Sequence, residues 1–145
     1  MSDNSEHFSP KSVIFREGEE AGKLFIIKSG EVLCLKASKE RLIPVFMAKE
    51  QDIIGESAML ADAPYTYSAI AMGQVELISI PNRDFLQVLD SSPQWLIDLT
   101  LTMIARFQST SSLIAENRIL HENIISEEDF PSSLEIELKK ILVSQ

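Results

Sequence analysis

Apolar and polar positions alternate through roughly the first eighty residues of this chain and then change period. Residues 12–16 read as a strand with Val13 and Phe15 on one face. Residues 24–28 and 31–36 are two more strand-like runs, joined by Ser29-Gly30, which is the spacing of a tight hairpin. In the second of them Val32 and Cys34 alternate with Leu33 and Leu35, so both faces are apolar and the strand is expected to be covered on both sides. A polar turn at 37–41 leads to a strand over 42–48, where Pro44 points to an edge or a bulge. Residues 65–72 and 75–80 are further strands around Gly73-Gln74. Residues 1–10 have few apolar side chains and are expected to form a flexible N-terminal arm.

After Pro81, which suits a helix start, the apolar positions step by three and four. Phe85, Leu86 and Leu89 stripe a first helix. A long helical pattern follows over 93–125, with Leu96, Leu99, Met103 and Phe107 in one stripe. The polar run QSTSS at 108–112 interrupts it, and the stripe resumes at Leu113, Leu120 and Ile124. Residues 126–131 read as a linker. Ser132 followed by Glu135 has the form of a capping box for a last helix carrying Leu134, Leu138, Ile141 and Leu142. Strands first and helices last make the fold class α+β. The organisation expected is an arm over 1–10, one domain with its long helix over 11–125, and a linker with a short helix over 126–145.

Composition narrows the function. With 145 residues and 45% apolar content, the chain can bury one ordinary core. Its formal charge of −9 argues against a DNA-binding surface, which needs local Lys and Arg. No apolar run reaches the ~18 residues of a membrane helix. The single cysteine, Cys34, excludes an internal disulfide and fits a reducing, cytoplasmic setting. His7 and His121 have no partner pattern for a triad or a metal site, and no Walker-type loop is present. The expectation is therefore no catalytic residue, no metal and no enzyme.

The stretch with chemistry in it is DIIGESAMLADAPYTYSA, residues 52–69. A glycine lets backbone approach a ligand, a run of small residues can turn its N–H groups toward an anion, and a lone carboxylate can accept bonds from hydroxyls. This stretch resembles the phosphate-binding cassette of the cyclic-nucleotide-binding domain family, which includes the catabolite activator protein and kinase regulatory subunits. Ile54, Gly55, Glu56, Ala58 and Pro64 match its order, and LFIIKSGEVLCLK resembles its Gly-x-Val hairpin. The resemblance implies an eight-stranded antiparallel jelly roll (a double-stranded β-helix) with a cassette helix and C-terminal α-helices.

It also implies a site at Gly55, Glu56, Ser57, Ala58, Tyr65 and Thr66, with Glu56 on a ribose hydroxyl and a cyclic nucleotide as the candidate ligand. Thr110 and Ser111 match the catabolite activator's Thr-Ser pair that reaches the base, although the residues by themselves read first as a solvated polar patch, since short polar pairs are common. Leu113, Leu120 and Ile124 imply a homodimer seam. The departure is at position 65, where Tyr65 stands in place of the arginine that pairs with the cyclic phosphate. The function expected is a regulatory protein acting through an unidentified partner protein, with cyclic AMP binding weakened or lost. The alternative is a receptor that uses a non-standard cassette.

Overall fold

The computed structural model describes residues 4–56, 58, 63–117 and 130–143. Its strands are β1 (Ser5–Phe8), β2 (Val13–Phe15), β3 (Lys23–Ser29), β4 (Val32–Ser38), β5 (Arg41–Ala48), β6 (Ile53–Ile54), β7 (Ser68–Ala71) and β8 (Val75–Pro81). The helices are α1 (Asn82–Asp90), α2 (Gln94–Asn117) and α3 (Ser132–Val143). The strands form two four-stranded antiparallel sheets, ordered β1-β8-β3-β6 and β2-β7-β4-β5. This is the expected jelly-roll sandwich followed by helices.

The inner faces of both sheets meet in one core. Phe25, Ile27, Ile54, Val75 and Leu77 come from the first sheet, and Phe15, Val32, Cys34, Ala69 and Ala71 from the second. The small alanines of β7 leave room for the aromatic rings opposite. Leu33, Leu35 and Ile70 point the other way and form a second core with Leu42, Phe130 and Leu138. So β4 is covered on both faces, as its doubly apolar pattern predicts, and α3 supplies the outer cover. Glu135 fixes the register of that helix. Its carboxylate accepts from Arg41 Nε and Nη2, both at 2.7 Å, and from the Leu42 N–H at 3.0 Å. The Arg41 guanidinium holds the Glu135 carboxyl below the usual carboxylate range.

Four local expectations are corrected. The N-terminal arm contains a strand: Ser5–Phe8 pairs with β8 at the sheet edge, where a short polar strand is well suited. Ser29-Gly30 does not close a hairpin, because β3 and β4 lie in different sheets. The chain crosses the sandwich there. Gly30 sits at φ +95°, and a Cβ would lie 2.4 Å from the Gln74 carbonyl oxygen. The tight hairpin is β4–β5, turned by Lys39 at φ 59°. Residues 65–67 precede β7 rather than lying in it. Finally, Glu135 does not complete a capping box with Ser132, since its carboxylate is engaged by Arg41 and Leu42 instead. Pro44 stands as expected, on edge strand β5 beside a bulge between the Leu35–Pro44 and Cys34–Phe46 pairs.

Candidate functional site

The cassette leaves β6 at Gly55, whose φ of +83° turns the chain sharply into a helical backbone at Glu56 and Ala58. Ser57 and residues 59–62 lie outside the described residues. The Ala63 N–H returns to the Ala58 carbonyl at 3.1 Å, which closes the short loop. Two backbone bonds then fasten the return segment to the loop after β2. Tyr65 N–H donates to the Glu19 carbonyl at 3.0 Å, and Gly18 N–H donates to the Tyr65 carbonyl at 2.8 Å.

The site is organised by aromatic rings. Tyr65 stacks on Phe15 with ring centroids 4.0 Å apart. Tyr67 lies tilted against Phe15 at 5.5 Å and edge-on to Phe46 at 5.4 Å. Tyr67 is only 1% exposed. Its phenolic oxygen accepts the Gly55 N–H at 2.8 Å. The Tyr65 hydroxyl donates to the Lys23 carbonyl at 2.6 Å. The sequence offers Tyr65 as a donor to a phosphate. In the structure its one proton is engaged by Lys23, because stacking on Phe15 aims the ring across the strand. Tyr67, within the run expected as a strand over 65–72, instead sits under the cassette glycine.

Glu56 faces the interior. Burial pushes its carboxyl up, and a bond from its own backbone N–H partly opposes this. One carboxylate oxygen, Oε2, is buried without any hydrogen-bond partner among the described residues. Its charge reaches Cys34 and Tyr67, which burial and then nearby groups including Glu56 hold in their neutral forms. Cys34 is thus an inert buried thiol. Thr66 is half-buried, and its carbonyl accepts from Lys36 Nζ at 2.7 Å. Sequence reasoning missed Lys36 at this site. Its signal was available, since it is the one charged residue of β4 and shares a strand face with Val32 and Cys34.

Outside the aromatic cluster a cleft of about 340 Å³ separates the cassette from the β2–β3 loop and the start of α1. Gly18, Ala58, Ala63, Pro64 and Asn82 line it, and the Asn82 Oδ1 is buried without a partner among the described residues. Thr110, Ser111 and Leu113 fall in the second half of α2, and Leu120 and Ile124 lie outside the described residues. The earlier part of α2 approaches solvent with apolar side chains: Trp95 is 66% and Met103 60% exposed, with Leu99 between them. None of the helices among the described residues is long and apolar enough to cross a membrane.

Comparison with known proteins identifies this architecture. The family model described as "Cyclic nucleotide-binding domain" matches residues 5–92, more than half of the chain. A cAMP-dependent protein kinase regulatory subunit of Hypocrea atroviridis is 31% identical over 85 residues, or 59% of this chain. The chain spans only 18% of that relative's length. Among solved structures, the cAMP-bound form of the EAL enzyme Bd1971 aligns with a TM-score of 0.68 at 24% identity, covering 76% of this chain and 30% of the other. A regulatory subunit of a cAMP-independent protein kinase A from Trypanosoma brucei aligns with a TM-score of 0.56 at 26% identity, covering 59% of this chain and 32% of the other.

Proposed function

The chain belongs to the cyclic nucleotide-binding domain family, and from that premise we propose a regulatory module that acts through a partner protein, with cyclic AMP binding weakened or lost. The observation that carries this reading is the bond from Gly55 N–H to the Tyr67 oxygen. A phosphate entering the cassette would compete for that N–H with a buried tyrosine already in place. Tyr65 offers it no replacement, because its proton is held by Lys23.

The magnitudes agree. A neutral hydrogen bond contributes about 1 kcal/mol net, whereas removing one partner of a buried ion pair costs about 3–5 kcal/mol. Without a cation at position 65, affinity should fall by about two decades or more, at ~1.4 kcal/mol per decade. Relatives and neighbours of this fold include proteins described as cAMP-bound and one described as cAMP-independent, so fold alone does not decide the ligand.

The test is calorimetric titration of the chain with cyclic AMP and cyclic GMP, alongside thermal unfolding with each nucleotide, since a ligand of the native state raises the melting temperature. No saturable binding tighter than about 100 μM is expected. Low-micromolar binding of either nucleotide would overturn the reading in favour of the alternative, a receptor with a non-standard cassette. One observation favours that alternative: the unpartnered Oε2 of Glu56 is an acceptor that a ribose hydroxyl would satisfy. Replacing Tyr65 by arginine would not repair the site cleanly, because it removes the stack on Phe15 as well as the bond to Lys23.

The apolar side of α2 gives the module a means to pair. Trp95, Leu99 and Met103 recur every four residues and stand exposed. A homodimer through this helix, extended by Leu113, Leu120 and Ile124, would remove them from water.

A further inference from the structure

A second cleft, of about 470 Å³, opens where the β4–β5 turn, the end of β2 and the last turn of α3 meet. It shares Ser68 with the 52–69 stretch but no lining residue with the cleft beside the cassette. Four cations border it, Arg16, Lys39, Arg41 and Lys139, against the carboxylates of Glu17 and Glu40. In a chain of net charge −9 that is an inversion of sign.

The way these groups are engaged sharpens the point. Glu17 is fully occupied: Oε1 accepts the Ala37 N–H at 2.9 Å, and Oε2 faces Lys36 at 3.5 Å. Lys139 donates to the Glu40 backbone carbonyl, and Arg16 Nε donates to the Leu142 carbonyl at 3.0 Å. Lys39 makes no hydrogen bond or ion pair among the described residues. Arg41 is matched by the Glu135 carboxylate at 2.7 Å, and Arg16 lies 3.9 Å from that of Glu19.

Beneath these cations lies Ser68, only 6% exposed. Its oxygen accepts the Glu17 N–H at 2.9 Å, and among the described residues its own proton has no acceptor. A buried hydroxyl with a free donor, under a rim of cations, is built to receive an anionic oxygen. Leu42 and Leu142 contribute apolar wall, and the volume falls in the range of small-molecule sites, about 300–1,000 Å³. A bare ion would leave those walls unused.

We propose that this cleft binds a small amphiphilic anion, a carboxylate or phosphate group carried on a short apolar body. The head group takes the Ser68 hydroxyl and the ammonium groups of Lys39 and Lys139, while the body lies on Leu42 and Leu142. The proposal does not rest on the reading of the cassette given above.

The experiment is backbone-amide NMR of the full chain, titrated at constant ionic strength with isovalerate, phenyl phosphate and inorganic phosphate. Isovalerate or phenyl phosphate is expected to give saturable shifts at Ala37, Lys39 and Leu142, with Kd on the order of 1 mM, and none at Gly55. The tighter of the two identifies the head group. Lys39→Gln and Lys139→Gln lie on the surface, and each should weaken binding about tenfold, with Lys39→Gln leaving the unfolding midpoint unchanged. Non-saturating shifts, equal binding of inorganic phosphate, or indifference to both substitutions would overturn the proposal. So would saturation by a tetraglutamate peptide with none by the small probes, which would assign the cleft to an acidic protein segment.

Discussion

Replacing Tyr67 by phenylalanine isolates the bond on which the functional reading rests. The substitution keeps the ring and its contacts with Phe15 and Phe46 and removes only the hydroxyl. The Gly55 N–H, buried beneath it, then loses its acceptor. Leaving a buried donor unsatisfied costs about 1–3 kcal/mol. At about 3 °C per kcal/mol for a domain of this size, the melting temperature should drop by roughly 3–9 °C. Equilibrium urea unfolding followed by circular dichroism measures the free energy directly, and an unchanged slope would show that the unfolded state is the same. A ligand-binding readout runs alongside. With the N–H released, any stabilisation of the protein by cyclic AMP should be greater in Tyr67→Phe than in the wild type. A variant within about 0.3 kcal/mol of the wild type, given the same slope, would refute the reasoning, because the hydroxyl would then not be the acceptor of the Gly55 N–H.

Glu56→Gln tests the buried carboxylate. Because burial raises its folded pKa, the protonated form's stability is fully present below the ordinary value of 4.5 and is lost as pH rises through the raised value. The variant should therefore melt higher than the wild type at pH 8, with the gap closing by pH 4. A wild type that is the more stable at pH 8 would sink the account. Leu138→Ala empties a fully buried position in the second core, and chemical unfolding should report a loss of about 2–5 kcal/mol. The double substitution Leu99→Glu with Met103→Glu should yield monomers in sedimentation velocity. A wild type that stays monomeric at high concentration would remove the basis for a dimer.

How much of this was legible in the sequence depended on the range of each interaction. The paired alternation of Val32 and Cys34 with Leu33 and Leu35 correctly announced a strand with two covered faces, because side-chain period is a local property. Pro44 likewise marked an edge, since a missing N–H has the same consequence in any sheet. Ser29-Gly30 misled because a chain crossing between sheets and a hairpin both need a glycine at positive φ, and only the distant Gln74 carbonyl distinguishes them. Glu135 misled for a similar reason: its partners Arg41 and Leu42 lie more than ninety residues away. At the cassette, the sharp backbone turn at Gly55 was legible from residue order alone. The stack of Tyr65 on Phe15 was not, because it joins two segments that the sequence gives no reason to pair.

The pairing of Ser5–Phe8 with β8 has a consequence for how the molecule is made. The partners, such as Phe8 and Val75, are separated by most of the domain, and β2 waits in the same way for β7. A chain leaving the ribosome N-terminus first must hold both early strands unpaired until residues 68–81 emerge. Closing such long loops is entropically unfavourable before any ladder bond rewards it. Folding should therefore be slow for the chain's size, in the millisecond-to-second class of non-local β topologies, and cannot begin in these sheets before residue 81 has emerged. Until then the nascent segment carries open strand edges, which makes it a candidate for chaperone capture.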